Sequence, residues 1–104
     1  MKDNSKEVRE LLQKYNEKGF EYGKPIQYLE FRNKCSKEEI EKEILQIKGL
    51  KFTEKQVKDG EIRYKLYFVY SNTRGRAYVL TFREKIRIIT IYPLGRRTLR
   101  YLKI

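Results

Sequence analysis

The sequence predicts an α+β fold, with two N-terminal helices packed on one face of a four-stranded antiparallel sheet, in a single domain spanning residues 1–104. Three observations lead there. Apolar residues recur with a period near 3.6 before Gly49 and with a period of 2 after it. A helix-start signal stands at Ser36 and a hairpin signal at Asp59-Gly60. A chain of 104 residues can bury one modest core but not two.

Taken in order, Asn4-Ser5-Lys6-Glu7 offers an N-cap with a glutamate three residues on, and Val8, Leu11, Leu12 and Tyr15 then fall on one helical face. Gly19 supplies the stop. The stretch from Phe20 to Lys34 stays open between strand and helical turn, because Gly23 and Pro25 interrupt any period. The next helix has Ser36 as N-cap, Glu39 closing a capping box, and Cys35 facing Ile40 as a hydrophobic staple. Ile40, Ile44 and Ile47 form its buried stripe, with Gly49 at its end. Residues 51–57 then run into the Asp59-Gly60 turn. In the following strand Ile62, Tyr64, Leu66, Phe68 and Tyr70 alternate with Arg63, Lys65, Tyr67 and Val69. Residues 76–83 and 86–92 make the last two strands, and the near-continuous apolar run Ile86–Tyr92 reads as a central one. Pro93 and Gly95 end it, leaving a basic, partly periodic tail.

Charge separates the two halves. Residues 1–50 carry 11 Lys/Arg against 10 Asp/Glu, whereas residues 51–104 carry 14 against 4, so nearly all of the net charge of +11 belongs to the sheet half. Such an asymmetry is the footprint of a polyanionic partner, and RNA fits it better than DNA because arginines interleaved with tyrosines suit exposed bases. No apolar run reaches the roughly 20 residues of a membrane-spanning helix, and the opening residues show no signal segment. The expectation is a cytoplasmic protein with no membrane partner. With one cysteine and no histidine, neither a disulfide within the chain nor a conventional zinc site is expected, and no metal or other cofactor is implied.

The uncovered side of the sheet and its margins are expected to present Arg63, Lys65, Tyr67, Arg76, Arg83, Arg87, Arg96, Arg97, Arg100 and Tyr101, with Arg74 in the loop before the third strand. Arginine pairs phosphate oxygens in a fork, so Arg63, Arg74, Arg83, Arg87 and Arg100 are candidate nucleic-acid contacts. Cleavage of RNA without histidine would need three things: a base to take the 2′-hydroxyl proton, a cation on the phosphate, and an acid for the leaving oxygen. A tyrosinate or a lysine with lowered pKa could serve as the base. The acidic residues Glu54, Asp59, Glu61 and Glu84 fall on turns and strand ends, which argues against a two-metal nuclease. Arg74-Gly75-Arg76 matches no nucleotide fingerprint.

Several short motifs, within residues 36–101, resemble the RelE/ParE superfamily of small toxins. They are Ser36-Lys37-Glu38-Glu39-Ile40, Gly75-Arg76-Ala77-Tyr78-Val79-Leu80, Ile86-Arg87-Ile88-Ile89-Thr90-Ile91-Tyr92, and Gly95-Arg96-Arg97 followed by Tyr101. The resemblance implies a RelE-like sandwich that cleaves messenger RNA without metal, often on the ribosome, and is neutralised by an antitoxin protein. By motif position Arg76, Arg96, Arg97 and Tyr101 would be the catalytic set, with Lys65 added by location. The spacing between Tyr28–Lys34 and Ser36 departs from the family pattern, and that segment has no histidine. The alternatives are a non-catalytic RNA- or DNA-binding protein using the same face, and a ParE-like topoisomerase inhibitor.

Overall fold

In the computed structural model residues 2–23 and 36–102 are described. Helix α1 (Ser5–Tyr15) runs into one 3-10 turn and strand β1 (Phe20–Tyr22); helix α2 (Lys37–Gln46) precedes strands β2 (Leu50–Lys58), β3 (Glu61–Val69), β4 (Gly75–Phe82) and β5 (Ile86–Pro93), and helix α3 (Arg96–Leu102) follows. The start of α1 departs from expectation. Asn4 makes no side-chain cap; instead Asp3 Oδ1 accepts from the Ser5 N–H at 3.0 Å and from its hydroxyl at 2.6 Å. At α2 the Ser36 hydroxyl accepts from the Glu39 N–H at 3.1 Å, whereas the expected Cys35 staple lies outside the described residues. The helix stops at Ile47 rather than at Gly49. Ile47 adopts a left-handed φ of 58°, rare for a β-branched residue, and its N–H and C=O bond Glu43 O and Leu50 N, each at 3.1 Å.

The sheet is five-stranded and mixed, in the order β1-β5-β4-β3-β2, which corrects the expected four-stranded antiparallel sandwich. Strand β1 comes from the stretch that the residue pattern left open, and it lies parallel to β5. The Ile86 N–H donates to Gly19 O at 3.0 Å and the Gly23 N–H to Ile88 O at 2.9 Å. Strand β5 thus has neighbours on both sides, the physical reason for its near-continuous apolar run. Asp59 and Gly60 turn β2 into β3 with φ of 52° and 78°, the pair of positive values that a two-residue hairpin requires. Two register shifts follow: one residue, Lys51, is extra between Leu50 and Phe52 on β2, and Ile89 is extra on β5.

Strand alternation then assigns two faces. Val8 and Leu12 of α1 and Ile40 and Ile44 of α2 cover the inner face, against Tyr64, Leu66, Phe68, Tyr78, Leu80, Ile86, Ile88 and Ile91. The outer face was expected to be open, and the tail to be irregular. Instead α3 folds back, and Leu94 and Leu99 bury Tyr67 and Ala77 in a second, smaller cluster. The helices are therefore divided between both faces, a second correction to the two-layer arrangement.

The N-terminal segment also closes part of the β2 edge. Thr53, fully buried, donates its N–H to Asp3 Oδ1 at 3.0 Å and accepts from the Asn4 N–H at 2.9 Å. Next to it Glu7 accepts from the Tyr64 hydroxyl and pairs with Lys55 at 3.0 Å. The Tyr64 bond is the largest cause holding the Glu7 carboxyl below its ordinary 4.5. Burial pushes Asp3 up, but its bonds from Ser5 and Thr53 outweigh this and leave it below 3.8. A carboxyl lowered by folding contributes stability above its unfolded value and loses it as pH falls through the folded one. The urea midpoint is therefore expected to fall as pH drops below about 4.5, and less so in an Asp3→Asn, Glu7→Gln double variant. At pH 7, Asp3→Ala leaves the buried Thr53 N–H without a partner and is expected to cost about 1–2 kcal/mol in urea unfolding.

Candidate functional site

Strand direction sorts the ten residues singled out from the sequence into separate places. At the end of the sheet carrying the β2–β3 and β4–β5 turns, Arg63 and Arg83 both pair with Glu61, Arg63 at 2.8 Å. On β5, Arg87 pairs with Glu21 of β1 at 3.4 Å. Arg83 and Arg87 thus pair across to neighbouring strands and Arg63 within its own, and the three do not form one patch. Lys65 stands in the middle of the outer face, with Nζ 5.1 Å from the Tyr67 ring centre and 4.8 Å from that of Tyr92. Burial works against its charge, but hydrogen bonds to the Tyr92 and Tyr67 hydroxyls outweigh that and raise its pKa. The Tyr67 phenol is raised by burial. Neither group is shifted in the direction that the base considered for RNA cleavage would need. Tyr67 is also only 8% exposed, which removes it as a surface on which a base could stack.

Arg76 was expected on the uncovered side. It shares strand parity with Tyr78 and Leu80 and so points to the α2 side, where Nη1 lies 3.2 Å from the Tyr78 hydroxyl and 3.9 Å from Glu43 Oε1. Glu43 also accepts from the hydroxyls of Tyr70 and Tyr78. Arg76 and Lys65 therefore lie on opposite faces, and the set Arg76, Arg96, Arg97, Tyr101 and Lys65 does not converge. Arg97 and Tyr101 are exposed on α3, Tyr101 at 72%.

The other end of the sheet is different. There the start of β2, the β3–β4 loop and α3 enclose an open cleft of about 580 Å³, with Lys51, Arg96 and Arg100 as its cations. Ser71, Asn72 and Thr73 line the loop side, and Val69, Leu99 and Leu102 supply its apolar lining. Among the described residues, no carboxylate side chain lines it. Among the described residues, no ion pair engages Lys51, Arg74, Arg96 or Arg100. Lys51 was not singled out from the sequence. It reaches the cleft because it is the extra residue of the β2 bulge, and a bulge re-aims a side chain that regular pairing would direct elsewhere.

A smaller cavity of about 290 Å³ lies on the other side of the same loop, with Tyr70, Arg74, Arg76 and Tyr92 in its walls. Thr73 lines both spaces. The loop between them is pinned: the Tyr70 and Ser71 N–H groups donate to Arg74 O at 2.9 and 3.1 Å, and the Thr73 N–H to Ser71 Oγ at 3.3 Å. The Leu94 N–H donates to Gly75 O at 2.9 Å, tying the start of β4 to the approach to α3. Among the described residues, no three carboxylate or thiol side chains stand close enough to hold a metal ion.

Comparison of the chain with protein-family models, with curated proteins and with solved structures finds no match. The site is therefore read from its chemistry alone.

Gly75 sets the geometry of this end. A Cβ there would stand 2.8 Å from Leu99 Cδ2, 2.8 Å from Phe68 O and 2.9 Å from Leu94 Cδ1, closer than side chains pack. One of these neighbours is backbone and cannot swing aside. Gly75→Ala is expected to destabilise the fold by about 1–3 kcal/mol in urea unfolding and to speed hydrogen exchange in α3 before the rest of the sheet.

Proposed function

We propose that the protein binds RNA, with the cleft of Lys51, Arg96 and Arg100 gripping the phosphate backbone. The observation that carries this reading is the convergence of three cations, from a strand bulge and one helix, on an open cleft with no carboxylate side chain in its walls among the described residues. An uncompensated cationic concavity concentrates field and attracts a polyanion, whereas the ion-paired arginines at the opposite end do not. Ser71, Asn72 and Thr73 favour RNA over DNA, because hydroxyl and amide side chains both donate and accept and so can recognise a ribose 2′-hydroxyl.

Cleavage of messenger RNA by a RelE-like toxin has less support. It asks one phosphate to meet Arg76, Arg96 and a proton acceptor together, and Arg76 and Lys65 stand on opposite faces of the sheet. Binding needs only the cleft.

Three phosphate contacts to a single strand give a slope of about −2 in log K against log salt, or about fifteenfold weaker binding at 200 mM than at 50 mM. Fluorescence anisotropy with a labelled RNA octamer is expected to show at least this slope. The variant Lys51→Gln, Arg96→Gln, Arg100→Gln is expected to make it shallower by about 2 while Arg63→Gln leaves it as it is, and an all-deoxy octamer is expected to bind several-fold more weakly. An unchanged slope in the triple variant, with its circular dichroism intact, would overturn the reading.

A further inference from the structure

We infer that the bound RNA is an extended single strand that leaves the Lys51, Arg96 and Arg100 cleft, rounds the β3–β4 loop at Thr73, and enters the smaller cavity beside Arg74. This rests on the RNA-binding reading and adds the form of the ligand and the path it takes.

The first support is continuity. Thr73 belongs to the walls of both spaces, so they meet at the loop rather than opening on unrelated surfaces. Their volumes, about 580 and 290 Å³, are each on the scale of a small-molecule site. A mononucleotide would occupy one and leave the other empty. The second support is chemical. The larger space offers cations with apolar residues among them; the smaller has Arg74 and two tyrosines, Tyr70 and Tyr92, in its walls. Cationic and aromatic residues in one wall are the composition that single strands select, the phosphate meeting the charge and a base stacking on a ring. Within the smaller space Arg74 carries the phosphate contact, because Arg76 already faces Glu43.

The third support is rigidity. The loop separating the two spaces is held by its own hydrogen bonds onto Arg74 O, so the distance between them is set before any ligand arrives. A flexible single strand can bend around such a post. A base-paired duplex cannot, since its stacked bases keep it straight over this length.

The test compares 5′-fluorescein-labelled oligouridylates of two and eight nucleotides on the full chain at low salt. The octamer is expected to bind at least about tenfold more tightly, because it alone is long enough to occupy both spaces. Arg74→Gln is expected to weaken the octamer about fivefold and leave the dinucleotide unchanged, since it removes one phosphate contact that only the longer strand makes. The loop should survive this change, because its bonds run to the Arg74 carbonyl and not to the side chain. Equal affinity for the two lengths, or an octamer indifferent to Arg74→Gln, overturns the path and leaves the RNA-binding reading standing. So does an octamer annealed to its complement that binds as tightly as the single strand. Failure of both oligonucleotides to bind overturns the underlying reading.

Discussion

The contact of Leu94 and Leu99 with the bare backbone of Gly75 decides what this end of the molecule can be. Without it the seven residues of α3 would have little to hold them, since a helix that short is not stable alone in water. With it, Arg96 and Arg100 are presented from a fixed base opposite Lys51, and the β3–β4 loop becomes a wall between two spaces rather than an open turn. Packing and site are one feature here. Leu99, one of the leucines that bury Tyr67 and Ala77, also lines the cleft among the cations.

Electrostatics complete the division that packing begins. The second half of the chain carries most of the excess positive charge, but the fold does not spread it evenly. Glu61 collects Arg63 and Arg83 at one end of the sheet, and Glu21 takes Arg87 at the β1 side. Glu43 stands near Arg76 beneath α2. Three acidic residues thus sit beside the arginines of the sheet, whereas, among the described residues, Lys51, Arg96 and Arg100 around α3 have no such partner.

Much of this was open to reading from the residues, and the failures have definite causes. The Ser36 cap, the Asp59-Gly60 turn and the alternation along β3 are local signals, and local chemistry produced them. Strand β1 was invisible because three residues between glycines carry no period; only pairing with β5 makes them a strand. The helical tail could have been suspected from Leu99 and Leu102, three apart after a proline and a glycine, but two positions make only a partial period in so short and basic a segment. Arg76 was misplaced although its parity with Tyr78 and Leu80 marks the inner face. Lys51 could not have been found at all, since a bulge depends on the register of the partner strand and leaves no trace in one strand's composition.

The short tie between Asp3, Asn4 and Thr53 reaches beyond the anchoring of the first helix. A sheet whose outermost strand is nine residues long offers a template on which another molecule's strand could add, the first step toward fibrils. Here the backbone groups of Thr53 are already taken, and what remains toward Lys58 is short and charged. The tie that anchors the first helix thus also removes from the edge a place where a second copy's strand could add.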